Sequence, residues 1–484
     1  MLEVVRGIIY NKLVMSKYIG NKKFYYHALR LTIPIMVQNA ISNFVGLLDN
    51  LMIGRLGTNA LSGVSIANQL MFVYYLLIFG AIAGVGIFTA QYHGMKDNEG
   101  VKRTFQFKLV MNLVLTAVAV AFFFFFGKGL IGTFLHGEGL KSDAQETLRI
   151  GVDYMNVMLI GLFPYAIAMA YAGTLRETGE TAVPMKASFA AVIVNLVGNF
   201  LLIYGYFGLP ALGAVGAAVA TDISRVVELV ILAVYTQKHS SVHTFIIGAF
   251  RKFDISRDLA LKYFVKSLPL MFNETLWAAG MTVMNQSYSY RSLNAVAALN
   301  IESTLWNLLG VAFLAMGEGV GIIIGHTLGS GDIKKAREDS IKLVVFTVFW
   351  GVVFGIVQIS LSPFFPRLYN TSAEVRSMAS QFIVVFGCLM PVMAYAHASY
   401  FIIRAGGRAG ITFLFDSCFV WVFSVPAAYM LSRFTDINVI MLVAIVQSLE
   451  IPKAVIGGIM VHSGIWARRI VGPKDNTEEK TAKA

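Results

Sequence analysis

The chain has 484 residues, of which 57% are hydrophobic and only 14% are charged, and its formal net charge at pH 7 is +12. Because a soluble globular domain has about 25% charged residues, this composition excludes a water-soluble globular protein and indicates a membrane protein. The positive charge does not indicate a nucleic-acid partner, since basic loops that face anionic lipid headgroups account for it. Cys388 and Cys418 lie in apolar runs and indicate neither a disulfide framework nor a metal site.

Apolar runs recur along the whole chain, and each is long enough to cross a hydrocarbon core of about 30 Å as a helix. The twelve predicted spans are 31–53, 60–92, 105–126, 150–172, 184–206, 214–236, 263–288, 295–326, 340–361, 378–403, 411–433 and 439–466. We expect an amphipathic, basic N-terminal segment at 1–30 that is not a signal peptide, a linker at 237–262 and a solvated tail at 467–484. The fold class predicted is therefore an all-α polytopic membrane protein.

The two halves of the chain repeat each other at a nearly fixed offset. The aligned pairs are Pro34 and Pro269, Ala60 and Ala295, Gly94 and Gly329, Asp97 and Asp332, and, at a slightly shorter offset, Arg176 and Arg404. Because each half holds an even number of spans, both halves begin on the same side of the membrane, as in a parallel repeat. The sequence therefore predicts two six-helix bundles, 31–236 and 263–466, related by a pseudo-two-fold axis along the membrane normal.

Lysine and arginine residues are concentrated in the two terminal segments and in the loops that follow every second span. Loops rich in these residues stay on the cytoplasmic side of a membrane. We therefore expect a multi-pass protein of the cell membrane with both termini in the cytoplasm.

Acidic side chains within the spans mark candidate functional positions, because a carboxylate in a bilayer is costly and usually faces a protein cavity. Asp49, Glu274 and Asp416 each align with a non-acidic residue of the other half, so each half has its own acids. Asn195 and Asn199 are four residues apart and share one face of the fifth span. A carboxylate and two amides that converge would hold a proton or Na⁺, since oxygen ligands suit hard cations.

Several short motifs carry a family resemblance. They are Pro34-Xaa3-Gln38, Asp49-Xaa4-Gly54-Arg55-Leu56-Gly57, Arg176-Glu177-Thr178-Gly179-Glu180, Asn195-Xaa3-Asn199, Pro269-Xaa4-Glu274-Xaa2-Trp277 and Arg404-Ala405-Gly406-Gly407-Arg408. In combination, over roughly residues 25 to 466, the chain resembles the multidrug and toxic compound extrusion (MATE) family, bacterial type. The resemblance implies twelve helices in two bundles around a central cavity. It also implies export of cationic or amphipathic compounds from bacteria, across the inner membrane, in exchange for Na⁺ or H⁺.

The resemblance also implies roles for particular residues. Asp49 matches the acid of the family's first helix, Asn195 the partner amide of the fifth, and Glu274 the seventh-helix glutamate of the bacterial branch. Asn199 stands where an archaeal branch has aspartate, and Asp416 acts in place of a tenth-helix acid. The expected ion-coupling residues are Asp49, Asn195, Asn199, Glu274 and Asp416. A Na⁺ site is predicted either at Asp49, Asn195 and Asn199 or at Glu274 and Asp416.

A substrate cavity for flat organic cations is predicted from polar, aromatic and sulfur-containing side chains, since an aromatic face attracts a cation. Its members are Gln38, Asn39, Trp277, Tyr288, Met393 and Tyr395. We expect small cationic or amphipathic substrates, membrane lipids as surroundings, a monomer, no nucleic-acid partner and no cofactor besides the coupling ion. Packing is the competing interpretation for the aromatic residues. Packing or pairing is also the simpler interpretation for the remaining deep polar residues, which are Asp222, Arg225, Glu228, Glu302, Glu318, His326 and His397.

The sequence predicts an ion-coupled antiporter for organic cations. The alternative is a lipid or polysaccharide-precursor flippase of the same superfamily, which should have basic residues in its cavity, whereas the deep charges in this sequence are mainly acidic. A membrane-embedded enzyme is disfavoured because no Walker motif, HExxH or Ser-His-Asp arrangement stands out. A channel would be distinguished from an antiporter by the absence of saturable exchange.

Overall fold

The computed structural model describes residues 18–135, 141–253 and 255–472. In these ranges the chain folds into long helices and forms no strand. In chain order the helices are α1 (Lys22–Gly54), α2 (Thr58–Gly94), α3 (Asn98–Thr133), α4 (Lys141–Glu177), α5 (Ala182–Tyr204), α6 (Ala214–Lys238), α7 (Arg257–Ser289), α8 (Leu293–Gly329), α9 (Ile333–Leu361), α10 (Ala373–Ala405), α11 (Ala409–Phe434) and α12 (Val439–Ser463). Ten of the helices are long and apolar enough to cross a membrane. The other two, α6 and α7, are of comparable length but are not among these ten. Each predicted span therefore corresponds to one helix.

Side chains at the helix starts explain several of these boundaries. The side chain of Asn21 accepts a hydrogen bond from the Phe24 backbone N–H, and α1 begins at Lys22 instead of residue 31. Asp97 and Asp332, which are equivalent in the repeat, cap α3 and α9 in the same way. Such a cap satisfies a backbone N–H group that has no partner within the helix. The helices therefore extend beyond the apolar runs, because capping and not hydrophobicity decides where they begin.

The structure describes only part of the chain outside the twelve helices. The predicted N-terminal segment up to residue 17 and the tail from residue 473 lie outside the described residues. The linker between α6 and α7 packs onto the first half, where Phe245 and Ile246 are buried against α3 and α4. The side-chain amide of Gln106 on α3 donates to the backbone oxygens of Ala249 and Lys252 at 2.7 and 2.8 Å. The linker is therefore an ordered part of the first half.

Six helices have a proline beyond their first turn, and α11 departs from α-helical geometry. The prolines are Pro34 in α1, Pro164 in α4, Pro269 in α7, Pro391 in α10, Pro426 in α11 and Pro452 in α12. In α11 the stretches Leu414–Cys418 and Val420–Ser424 are π-helical. Short π-helical stretches frequently occur at functional sites, and the first of these contains Asp416.

At one end of the molecule the two halves have separate apolar cores. One core, around Ile53, Met155 and Ala218, contains only residues of α1–α6. The other, around Met284 and Leu442, contains only residues of α7–α12. We call this the open end, because no apolar core joins the halves there in the described chain.

At the opposite end, which we call the closed end, apolar cores join the halves. Ile35 of α1 belongs to the same core as Ile324 of α8, and the Phe88 ring of α2 packs edge-on against Tyr263 of α7 with centroids 4.8 Å apart. The closed end contains the beginnings of α1 and α7 and the ends of α2, α4, α8, α10 and α12. The two halves are therefore closed at one end and separate toward the other.

Candidate ion and substrate sites

A chain of hydrogen-bonded side chains connects α1, α5 and α6 in the first half. Asn199 Nδ2 donates to Asp49 Oδ1 at 2.5 Å and to Asn195 Oδ1 at 3.3 Å. Asn195 Nδ2 donates to Thr221 Oγ1 at 3.0 Å. The structure thus brings together Asp49, Asn195 and Asn199 and adds Thr221, which the sequence did not single out. Asp49 and Asn199 are near the C-terminal ends of their helices, so this cluster lies toward the open end.

The burial of this cluster restricts the ligands that it suits. Asn195 and Asn199 are 4% and 0% exposed, and Asn199 Oδ1 has no hydrogen-bond partner among the described residues. An unpartnered buried acceptor is costly unless a proton donor or a cation reaches it. Together with the Asp49 carboxylate and the Thr221 hydroxyl, this oxygen forms a donor set of the kind that suits H⁺ or Na⁺.

A second polar cluster connects α7, α10, α11 and α12 in the other half. Asn273 Nδ2 donates to Asp416 Oδ2 at 2.9 Å and to the Tyr400 hydroxyl oxygen at 3.2 Å. The Tyr400 hydroxyl donates to Glu274 Oε1 at 3.3 Å. Glu274 and Asp416, both predicted as ion-coupling residues, therefore belong to one network in which Asn273 and Tyr400 lie between them.

Lys453 of α12 changes the charge of this second cluster. Its side chain is 8% exposed, and its Nζ atom lies 2.9 Å from Asp416 Oδ1 and 3.4 Å from Glu450 Oε1. Na⁺ at Asp416 would compete with an ammonium group that already neutralises the carboxylate. The Na⁺ site predicted at Glu274 and Asp416 is therefore less favoured than the one at Asp49. Lys453 was not among the predicted residues, although a lone lysine one turn after an acid in an apolar run is a usable signal.

The residues predicted to line a substrate cavity have different surroundings in the structure. Gln38 is buried between Ser188 and Arg176, with hydrogen bonds of 2.6 and 2.7 Å. Tyr288 is 1% exposed within the apolar core of the second half, because it lies one turn from Met284 on the apolar face of α7. Tyr395 lines a separate groove between α9, α10 and α12. Of the remaining three, Trp277 is exposed, and Asn39 and Met393 are half-buried.

Several deep acids have basic partners, two of which are buried lysines, so the description of the deep charges as mainly acidic needs correction. The buried Lys108 side chain pairs with Glu177 and donates to Thr174 Oγ1 at 3.2 Å. Arg176 Nη1 lies 3.5 Å from Glu318 Oε2 of the other half. The pairs in the described chain that include a deep acid are Lys108–Glu177, Arg176–Glu318, Arg225–Glu228 and Lys453–Asp416. Lys108, Arg176 and Lys453 are far from their acids in sequence, whereas the pairing of Arg225 with Glu228, three residues on, agrees with the simpler interpretation given for these two residues.

A cavity of about 90 Å³ lies between the halves just inside the closed end. Arg176 and Glu177 of α4 line it together with Arg404, the equivalent of Arg176, and with Glu318 of α8. Because equivalent residues of both halves line this axial cavity, it lies on the pseudo-two-fold axis. Its volume holds a few water molecules and is far below the roughly 300 Å³ of the smallest typical ligand pocket.

The described residues contain no group of three or more His, Cys, Asp or Glu side chains arranged to hold a metal ion. Zinc and similar ions are bound by such clusters. The Asp49 cluster instead contains carboxylate, amide and hydroxyl oxygen atoms.

The sequence model of the MatE family matches the chain twice, over residues 34–201 and 269–430. The two matches begin at Pro34 and Pro269, which the internal repeat aligns. "Probable multidrug resistance protein NorM" of Halalkalibacterium halodurans is 23% identical over 416 residues, covering 85% of this chain and 88% of the relative. "Probable multidrug resistance protein YoeA" of Bacillus subtilis is 24% identical over 422 residues, covering 84% and 87%.

Solved structures have the same fold. A multidrug resistance MATE family transporter of the MOP superfamily in an outward-facing conformation has a TM-score of 0.80 and 20% identity, over 90% of this chain and 96% of that chain. A MOP superfamily transporter from Pyrococcus furiosus, described as having a binding pocket of reverse polarity, has a TM-score of 0.79 and 19% identity, over 93% and 97%. These similarities confirm the predicted all-α fold of two helix bundles. Since the family match covers more than half of the sequence, the chain belongs to the MatE family, whose members are multi-pass membrane transporters and not enzymes.

Proposed function

We propose that this protein is a secondary antiporter that exports organic cations or amphipathic drugs in exchange for Na⁺ or H⁺. Family membership and the names of the multidrug resistance relatives support drug export. The observation that carries ion coupling is the buried cluster of the first half. There the Asp49 carboxylate accepts a hydrogen bond from Asn199, whose own side-chain oxygen has no partner in the described chain.

Competition for Asp49 is the proposed basis of exchange. A bare carboxylate at this depth is costly and attracts an organic cation. Binding of H⁺ or Na⁺ neutralises Asp49 and removes that attraction, so the drug leaves. Release of the ion on the other side of the membrane restores the charge that holds the next drug. Each ligand lowers the affinity of the other through the shared site, and no further energy source is needed.

We assign the closed end to the cytoplasm of a bacterial cell, with both termini on that side of the inner membrane. The support is the concentration of lysine and arginine in the loops at this end. In this orientation the space between the halves opens outward, and the Asp49 cluster is nearer to the outer face. The proposed functional unit is a monomer surrounded by lipid.

A flippase for lipid or polysaccharide precursors is the second candidate function. The observation in its favour is that Arg176 and Arg404 line the axial cavity from equivalent positions. Antiport of cations is better supported, because Arg176 is paired with Glu318 and its charge is therefore already neutralised within the protein.

Transport in proteoliposomes tests the proposal. Vesicles with the wild type, Asp49→Asn or Asp153→Asn receive ethidium, and a Na⁺ gradient and a pH gradient are imposed separately. Asp153 is an exposed acid of α4 in the same half and serves as the matched control. We expect one gradient to drive ethidium, Asp49→Asn to abolish that movement and Asp153→Asn to retain it.

Two results would count against the proposal. Undiminished gradient-driven transport by Asp49→Asn would refute coupling at this cluster. Movement of a fluorescent phospholipid, with no movement of ethidium under either gradient, would favour the flippase.

A further inference from the structure

Helices α2 and α8 cross at the closed end, and the residues at the crossing are equivalent in the internal repeat. Ala90 and Gly325 are one such pair, and a Cβ atom on Gly325 would lie 2.7 Å from the Ala90 Cβ atom. Two equivalent residues meet only where the pseudo-two-fold axis passes between them. The crossing of α2 and α8 therefore lies on the axis, next to the axial cavity.

The glycines that follow this crossing are also equivalent and also face the other half. A Cβ atom on Gly94 would overlap the backbone oxygen of His326, and one on Gly329 would overlap the backbone oxygen of Gln91. Glycine is required at both positions because a backbone atom, which cannot rotate away, occupies the space. The close approach brings the side chain of Gln91 to the end of α10 and the side chain of His326 to the end of α4.

Gln91 and His326 make equivalent hydrogen bonds across the axis. Gln91 Nε2 donates to the backbone oxygen of Ala405, the last residue of α10, at 2.9 Å. His326 Nε2 donates to the backbone oxygen of Glu177, the last residue of α4, at 2.6 Å. Glu177 and Ala405 are aligned by the same offset as Arg176 and Arg404. The last carbonyl groups of a helix have no partner within it, and here a side chain of the opposite half supplies one.

We propose that Gln91 and His326 form a two-fold clasp that holds the closed end shut and must release for the protein to open there. The proposal rests on the proposed transport function only in requiring that this end opens during the cycle. Gln91 and His326 are positioning residues, since they set the relative position of the halves and contact no transported ligand.

The segment that follows α12 strengthens one side of the clasp. Gln91 Oε1 accepts a hydrogen bond from the Ile470 backbone N–H at 2.8 Å, and Gln91 Nε2 also lies 3.5 Å from the Arg468 backbone oxygen. Trp466 is buried in the core around α8 and α10, and Val471 is buried in the core shared by α2 and α7. Loss of Gln91 therefore frees this segment as well, and should weaken the closed end more than loss of His326.

Cysteine accessibility in the full-length protein tests the clasp without any substrate or ion. The background carries Cys388→Ala and Cys418→Ala, which remove the two free cysteines. One reporter is Ala83→Cys, whose position lines the axial cavity. The other is Asn43→Cys on α1, at an exposed position between the halves toward the open end. The labelling rate with a water-soluble methanethiosulfonate reagent is measured for each reporter in lipid nanodiscs.

We expect Gln91→Leu and His326→Leu to raise the labelling rate at position 83 about 2- to 10-fold each, as loss of a hydrogen bond shifts an opening equilibrium. The double variant should show roughly the product, and labelling at position 43 should not rise. His326→Gln should keep the wild-type rate, because Gln91 makes the same bond with a glutamine side chain. These results would support the clasp whether or not the protein exchanges Na⁺ or H⁺.

Gln106→Leu is the matched control, since the Gln106 amide also binds backbone oxygens at the closed end but within one half. An unchanged rate at position 83 in the double variant overturns the proposal. Equal increases at positions 43 and 83, as general loosening of the fold would produce, also overturn it. Thermal unfolding of each variant, compared with Gln106→Leu, separates release of the clasp from unfolding.

Discussion

Replacement of Lys453 by methionine should destabilise the protein strongly, because it leaves the Asp416 carboxylate buried without its cation. The Nζ and Oδ1 atoms are 2.9 Å apart, and the two side chains are 8% and 16% exposed. At an effective dielectric constant of about 20, Coulomb's law gives an attraction of about 6 kcal/mol at this separation. Desolvation of both groups offsets part of it, so we expect Lys453→Met to lower the free energy of unfolding by about 3–5 kcal/mol.

A double-mutant cycle measures this coupling. Lys453→Met, Asp416→Asn and the double variant are unfolded in mixed micelles with increasing denaturing detergent, and helix content is followed by circular dichroism. The double variant should be more stable than Lys453→Met, since it contains neither the ammonium group nor the Asp416 carboxylate. Lys102→Met is the control, because Lys102 pairs with Glu99 at 2.8 Å but Glu99 is 63% exposed. A surface pair of this kind contributes about 0–1 kcal/mol.

The stability losses caused by Lys453→Met and Lys102→Met show whether burial strengthens the Lys453–Asp416 pair. If Lys453→Met costs no more than Lys102→Met, burial does not make the Asp416 pair strong, and the charge assignment of the second cluster is wrong. A cycle in which the two single changes simply add would likewise contradict a direct interaction between Lys453 and Asp416.

Gly329→Ala should lower the free energy of unfolding by about 1–3 kcal/mol, because the added Cβ atom overlaps the backbone oxygen of Gln91. Gly410→Ala, whose Cβ atom would meet nothing within 4 Å, should leave thermal unfolding unchanged, and equal effects of the two would contradict the packing argument. Asn199→Leu should abolish gradient-driven ethidium transport while the size-exclusion profile stays that of the wild type, since it removes the amide that binds Asp49. Retained transport would show that this amide is not part of the coupling site.

The helices and the repeat could be predicted from the sequence because each has a strong physical signal. A bilayer requires a minimum apolar length for every span, and a duplicated chain keeps its caps and close contacts at matching positions. Asp97 and Asp332 show this, since the aligned pair proved to be the N-caps of α3 and α9. The sequence singled out Asp49 and Asn199 as polar residues within spans, which usually face a cavity or a partner, but it left open whether the two converge. The structure supplies that contact.

The partners that buried charges find on other helices could not be predicted, because they depend on how each helix is rotated. In a membrane protein, both the lipid-facing and the core-facing sides of a helix are apolar, so periodicity does not show which side a charge faces. Arg176 and Glu318 are 142 residues apart and belong to different halves. Lys453 of α12 pairs with Asp416 of α11. Asp416 lies in a π-helical stretch that nothing in the local sequence indicated. Tyr288, which was predicted to line a cavity, is buried in an apolar core for the same reason.

The glycine contacts at the closed end have a mechanical consequence. Gly80 and Gly84 of α2 lie against the backbone of α7, as Gly94 and Gly329 lie against backbone oxygens across the axis. Helices that interlock through large side chains must lift these out of the facing grooves before they can slide. Where two backbones are in contact without side chains between them, no such interdigitation occurs. At these glycine contacts the halves can therefore slide without disengaging side chains, and the motion is resisted by the hydrogen bonds across the axis and by the apolar cores that join the halves at the closed end.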